Sequence, residues 1–477
     1  MFHDTGESFA MPRLPPLSLD AHHLDHRQNA LAQAFSPADR GLVRVGSRRW
    51  FLQLGAAGFS AGMSLAAGQR LSAATKIAGG DRRAVIVFWL SGGPSHIDMW
   101  DPKPLAPHEI RGPYQTIATS VPGIAVCEHL PLQASLMDKL SIIRSVDCSA
   151  SNHTPITMQA GNALARRTDD GNDGGGYPSM GSVAAKLRGP NATDLPAFVG
   201  LADSWKADVW GAGHLGQDHE PAKGGELAGR LALTDGINVA RLQDRQELRR
   251  QFDRLSHDLD RAGTMYQVDR NHQMAFDMVT SGRVRDAFDV SKEPDALRDA
   301  YGRGSVGEKA LLARRLVEAG VTFVLVSGKW GYFDHHGDNV PPWGGIQKGL
   351  TPILPTIDHA LHALVIDLDL RGLLDSTLVL MMGEFGRTPM LTSDGGRGHW
   401  TNCMSMLVAG GGLAAGQVIG GTDRKGYDIQ DGRVRPADLA ATVFRHLRID
   451  QAAQWVNPQG RPIPIVTEGG RPIPELG

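Results

Sequence analysis

The chain has only three cysteines, so no disulfide scaffold is open to it; at most one bridge can form, with one thiol left over. It also lacks an excess of either charge. Against 49 basic side chains stand 51 acidic ones, a formal net charge of −2, which argues against a nucleic-acid-binding chain, where a basic surplus is usual. A membrane-spanning run is missing too. The weakly apolar stretch from Leu54 to Ala67 is rich in Gly and Ala and shorter than the roughly 18 residues a spanning helix needs. Glycine is plentiful but lacks the one-in-three period of collagen, which places it in loops and turns. What remains is 477 residues, 41% of them hydrophobic, enough to bury a sizeable core and to exclude wholesale disorder. There are also 18 histidines, an excess that needs an explanation.

Residues 1–46 read as a polar, proline-dotted extension. Residues 47–74 read as a signal peptide: Arg48 and Arg49 stand before Trp50, Phe51 and Leu52, a short apolar stretch follows, and small residues close it. No acidic residue occurs between Gly41 and Gly80. The paired arginines ahead of Phe51-Leu52 resemble the twin-arginine export signal. The expected partner is therefore the twin-arginine export machinery. The expected location is periplasmic or otherwise extracytoplasmic, with no stable membrane span in the mature chain.

Beyond Arg83, short apolar runs alternate with longer amphipathic ones. Ala84 to Leu90, Leu140 to Val146, Val321 to Val326, Thr377 to Met382 and Met404 to Ala409 read as strands, the first as one buried on both faces. Glu308 to Ala319 and Ile353 to Leu370 place Leu311, Leu316, Leu361 and Leu364 at helical spacing, with Gly320 suited to end the first helix. Such alternation predicts an α/β fold with a mostly parallel sheet covered by helices, spanning about residues 82–450. Polar amphipathic helices near 238–300 read as an insertion, and 451–477, with its repeated Arg-Pro-Ile-Pro, as an irregular surface tail.

In such folds ligands gather at the carboxyl ends of the strands, and four segments carry ligand-capable residues there. The first runs from Ser91 to Asp101, where His96 and Asp98 form a candidate cation pair or merely a solvated turn. In the second, Ser151 to Pro155, Thr154 and Pro155 suit a helix start; Ser151 or Thr154 is a candidate nucleophile, and Asn152 or His153 a candidate oxyanion or metal contact. The third, Phe333 to Asn339, sets Asp334, His335, His336 and Asp338 on one tight loop, an N/O donor set that suits zinc and admits manganese. The fourth opens with Glu384, directly after a buried strand, where a carboxylate needs a partner; Arg387 is either that partner or a clamp for a developing oxyanion. His399 follows as a late ligand or acid–base group.

Taken together, the twin-arginine leader, the strand that ends at Ser91 to Asp98, the loop Asp334 to Asn339, the stretch Gly383 to Pro389 and Arg397 to Trp400 resemble an exported bacterial family known as domain of unknown function 1501. That family is grouped with the alkaline-phosphatase-like superfamily, which includes sulfatases and phosphodiesterases. The resemblance implies a three-layer sandwich around a mostly parallel sheet and a metal centre at the strand ends. It also implies phosphate or sulfate ester chemistry on a small or polymeric substrate. Asp334 with His336, or with Asp338, matches the superfamily's metal loop, and His399 matches its late histidine. Glu384 takes the place of an Asp-His pair, with Phe385 where the histidine belongs. Ser91 stands where an aspartate is usual, and Asp98 is the nearest substitute. Ser151 lies about ten residues ahead of Gly161, an interval resembling that from nucleophile to glycine.

The expectation is thus a divalent metal, zinc first and manganese or calcium as alternatives, held by Asp334, His336, Asp338, Glu384, His399 and Asp98. Ser151 would be the nucleophile, in competition with a water activated by the cation, and Asn152 and Arg387 would steady developing charge. No Cys or Ser opens the motif that formylglycine sulfatases require, so that subclass is excluded. A non-catalytic binding protein on a decayed hydrolase fold is the alternative.

Overall fold

The continuous apolar run that follows Arg83 forms β1 (Ala84–Trp89), with every residue buried. Residues 81–166, 173–230 and 281–477 are described by the computed structural model. The expected extension 1–46, the expected export signal 47–74 and residues 238–280 of the expected insertion lie outside them. The remaining strands of the central sheet, in chain order, are β2 (Leu140–Val146), β3 (Phe198–Leu201), β4 (Ala222–Lys223), β5 (Phe323–Ser327), β6 (Thr377–Met382), β7 (Met404–Gly410) and β8 (Gln417–Ile419). Their spatial order is β8-β2-β7-β6-β1-β5-β3-β4. Only β7 runs against its neighbours, β2 and β6; every other pairing is parallel. The expected mostly parallel α/β sheet is present.

Alternation along β1 feeds two separate cores. Ile86 and Phe88 join Leu311 and Leu316 of α2 (Ser305–Ala319) and Leu361 and Leu364 of α3 (Leu354–Leu370). Val85, Val87 and Trp89 join Met180 and Val183 of α1 (Met180–Leu187) and Val443 and Phe444 of α4 (Pro436–His446). Helices thus draw apolar side chains from opposite faces of one strand, each contributing roughly 1.5–3 kcal/mol when fully buried. Helix α2 stops at Gly320, whose φ of 126° lets its amide reach back to Leu316 and Val317.

Two expectations are corrected. The segment 451–477 is not an irregular tail: Gln454–Val456 pairs antiparallel with Pro462–Pro464, and Trp455, Ile465, Ile473 and Leu476 are buried in the second core. Its isolated apolar residues escape periodicity because each anchors irregular backbone. The helix after Pro155 spans only Ile156–Ala160, and Thr154 does not cap it; the Thr154 hydroxyl donates to Asn152 Oδ1 at 2.7 Å instead. Of the insertion, the described part is helical at Gly282–Phe288 and Asp295–Tyr301.

Candidate metal centre

Because β6, β1 and β5 are adjacent and parallel, their carboxyl ends open onto one place. Glu384 follows β6, the Ser91–Gly93 turn follows β1, and the loop carrying Asp334 and His336 follows β5. The chain packs tightly there. Gly92 has a φ of 108°, and a Cβ on it would stand 2.5 Å from the Asp334 amide nitrogen, so only glycine lets the two loops meet. His153 arrives from the loop after β2. His399 is set opposite Arg387 by a two-residue antiparallel ribbon, Gly386–Arg387 with His399–Trp400.

Ligand atoms of His153, Asp334 and His399 lie within 4.8 Å of one another. Asp334 Oδ1 is 3.0 Å from His399 Nε2 and 2.9 Å from His336 Nε2, and those two ring nitrogens are themselves 2.9 Å apart. His153 Nε2 is 3.5 Å from Asp334 Oδ2. Protons satisfy such a convergence of lone pairs only in part, since two facing imidazole nitrogens share at most one N–H when both rings are neutral. Donors bound at about 2.0–2.1 Å to one zinc stand roughly 3.3 Å apart, close to these separations. Two or three imidazoles and one carboxylate suit a borderline cation such as zinc better than calcium, which prefers oxygen. The residues present therefore fit a divalent metal.

Glu384 is buried, and its Oε1 accepts the Gly92 amide at 2.8 Å and faces His153 Nδ1 at 3.0 Å. It holds the far nitrogen of His153, the place of a carboxylate that orients a metal-binding imidazole. Its Oε2 has no hydrogen-bond partner among the described residues. Burial works against charge on His153, but hydrogen bonds to Asp334 and Glu384 outweigh it and lift its pKa to about 9. Burial likewise opposes charge on Asp334, yet His153, His399 and Arg387 hold its carboxyl far below the usual range. Burial, then the Arg387 charge, lowers His336.

Arg387 is placed differently from an oxyanion clamp. It is buried, and its guanidinium donates to the carbonyls of Gly93 at 2.9 Å, Arg397 at 3.0 Å and Phe333 at 3.1 Å, and also to that of Gly92 and to Asp334 Oδ1. With its donors so engaged, it buckles three loops and anchors Asp334.

Asp98 is likewise elsewhere. Its carboxylate forms a fully buried pair with Arg397, at 2.6 and 3.0 Å, which removes it from the ligand set. Asp338 pairs with Lys348 at 2.7 Å and accepts the Gly345 amide; it too is outside the cluster. Ser151 is a buried residue whose hydroxyl reaches the carbonyl of Asn152 at 3.5 Å, and no hydrogen bond or ion pair joins the side chain of Ser151 or Asn152 to the cluster among the described residues. His96 Nε2 contacts the Gly426 carbonyl at 2.9 Å, and His335 is buried against the Gly349 backbone. The structure thus brings together His153, Asp334, His336, Glu384, Arg387 and His399. The sequence alone gave Arg397 no role; that role follows from the burial of Asp98 in the structure, where a carboxylate needs a cationic partner.

An α/β protein with a histidine–carboxylate cluster at the ends of three parallel strands is the class so defined. The chain belongs to the family described as Protein of unknown function (DUF1501), which matches residues 82–476. No curated protein matches it. Among solved structures, Ps i-CgsB in complex with k-i-k-neocarrahexaose overlaps with a TM-score of 0.36 at 12% identity, over 77% of this chain and 72% of that one. The PsFucS1 sulfatase from Pseudoalteromonas sp. overlaps with a TM-score of 0.32 at 15% identity, over 77% and 68%. No described helix is long and apolar enough to cross a membrane.

Proposed function

We propose that this protein is an exported, metal-dependent hydrolase of phosphate or sulfate esters, built as an alkaline-phosphatase-like three-layer sandwich. The observation that carries the reading is the convergence of His153, Asp334 and His399 ligand atoms within 4.8 Å, beside the carboxyl ends of β1, β5 and β6. These three, with His336, would hold the cation. Bound there, a divalent metal would polarise the ester oxygen and favour the attacking nucleophile. Asp334 keeps its charge through Arg387, Glu384 fixes which nitrogen His153 presents, and the partly exposed His336 and His399 leave an open approach for an ester. Zinc is the first choice, with manganese second.

Ser151 is a weaker nucleophile candidate than the sequence suggested, because it is a buried residue whose hydroxyl reaches a backbone carbonyl. That same observation, with Arg387 saturated by carbonyls, favours the second reading, a metal-binding protein without turnover. Metal analysis of protein purified without chelator, together with phosphate and sulfate ester panels, separates the two. Stoichiometric metal with ester cleavage that His399→Ala abolishes supports the hydrolase. Stoichiometric metal with no cleavage supports the binding protein. Protein that takes up no metal and is unaffected by His399→Ala overturns the metal centre itself.

A further inference from the structure

The loop that delivers Asp334 also carries an unexplained aromatic. Trp330 is 41% exposed, unlike Trp89 and Trp100, which are buried. Its ring lies 5.2 Å from that of His153 with 23° between the planes, a stacked pair. His153 in turn meets His399 edge-on at 4.8 Å and Phe385 at 5.6 Å. Trp330 is therefore the outer layer of a stack whose inner members line the candidate metal centre.

This exposure does not come from a loose loop. The Trp330 amide donates to Ser204 Oγ at 3.2 Å, and the next amide, of Gly331, donates to Ser91 Oγ at 3.0 Å. Gly331 has a φ of 69°, its carbonyl accepts the Asp334 amide at 2.7 Å, and the Tyr332 amide reaches Lys329 at 3.2 Å. The backbone that carries the indole is thus held on both sides of Trp330, and the ring itself lies against His153. What sets Trp330 apart from the other exposed apolar side chains is its stack on a candidate metal ligand, which places an aromatic face where a bound ligand would lie.

We propose that Trp330 is a platform for the pyranose ring of a sugar ester, and so a specificity-determining residue. This rests on the hydrolase reading and deepens it by naming the substrate class. An aryl ring favours an enclosed apolar slot. Here the His153 ring covers one indole face, Trp330 stays 41% exposed, and the Ser204 hydroxyl, which accepts the Trp330 amide, lies beside it with the exposed Lys329 next in the chain. A pyranose matches that pattern: one face of C–H groups lies on the indole, and hydroxyls at the ring edge reach the polar neighbours. The sugar's ester group would extend toward Asp334 and His399.

The test uses full-length, zinc-loaded protein with glucose 6-phosphate, glycerol 3-phosphate and phenyl phosphate, and reads binding by tryptophan fluorescence and calorimetry. The native protein is expected to bind the hexose ester about tenfold more tightly than the other two. Trp330→Ala should erase that preference while binding glycerol 3-phosphate and zinc as before, and Trp330→Phe should restore part of it. Equal binding of all three by the native protein, or a preference for phenyl phosphate, overturns the sugar platform and leaves the hydrolase reading standing. Equal losses for every ester in Trp330→Ala, with zinc reduced, overturn it also, because Trp330 would then only support His153. No binding of any of these phosphate esters, nor of the corresponding sulfate esters, by zinc-loaded native protein overturns both readings.

Discussion

His153 and Glu384, from loops 231 residues apart, meet at 3.0 Å between Nδ1 and Oε1. The Gly92 amide fixes the same carboxylate oxygen at 2.8 Å, so the acid is held before the imidazole is. With Nδ1 facing a carboxylate, Nε2 becomes the nitrogen left for a cation. Glu384→Gln is expected to leave the fold intact, because an amide oxygen still accepts from Gly92. It should weaken zinc binding roughly 10- to 100-fold, the usual effect of removing such an orienting partner. Calorimetric zinc titration of the two proteins checks this. An unchanged affinity would place Glu384 outside the metal's surroundings.

Asp98 and Arg397 predict the opposite pattern. Both are fully buried, and the ion pair between them is double. Asp98→Ala strands a buried guanidinium, although the carbonyls of Ile110 and Pro389 still accept from it. Removing one member of such a pair costs about 3–5 kcal/mol. Urea unfolding should show that loss, while zinc stoichiometry in the folded fraction stays unchanged. A variant that is stable but has lost its zinc would return Asp98 to the ligand set.

Sequence patterns reached the middle of the sheet and stopped at its edges. The strand β1 is an unbroken apolar run of six residues and β6 one of five after Thr377, the look of strands buried on both faces. The strands β3, β4 and β8 have two to four residues, too few for a period; they are strands only because a neighbour pairs with them. At the site, Asp334 and His336 stood out because one strand-end loop concentrated them, and His399 because it follows the segment that opens with Glu384. The choice among Ser151, Asn152 and His153 was not legible, since loop torsions decide which of three consecutive side chains reaches the cluster. Nor was the removal of Asp98 and Asp338, whose partners Arg397 and Lys348 come from other loops. Arg387 was visible as a cation beside Glu384, but the carbonyls that absorb its donors carry no sequence signal.

Asp208 supplies a test by pH. Burial raises its pKa to about 7, only partly offset by the Ser91 and Ser327 hydroxyls. The folded state therefore keeps a proton that the unfolded chain releases near pH 3.9. Stability linked to this group is full below that pH and falls as pH rises through about 7. Asp208→Asn keeps the shape without the charge. Its unfolding free energy in urea relative to the native protein should rise between pH 5 and pH 8, by an amount on the order of a few kcal/mol at most. A constant difference across that range would mean that Asp208 is charged throughout.

The metal itself should appear as stability. A ligand that binds only the folded state adds RT ln(1 + [L]/Kd), roughly 2.7 kcal/mol when free ligand is 100-fold above Kd. Thermal unfolding of chelator-treated protein should therefore shift upward on adding zinc. His399→Ala should abolish the shift, because it removes one of the three converging ligand atoms. Asp338→Asn should leave it intact, because Asp338 is committed to Lys348 away from the cluster. Calcium at the same concentration should shift the midpoint far less, since imidazole nitrogens are poor ligands for a hard cation. A calcium shift that equals or exceeds that of zinc, or a zinc shift that survives His399→Ala and disappears in Asp338→Asn, would move the centre from the histidine cluster to the carboxylate of Asp338.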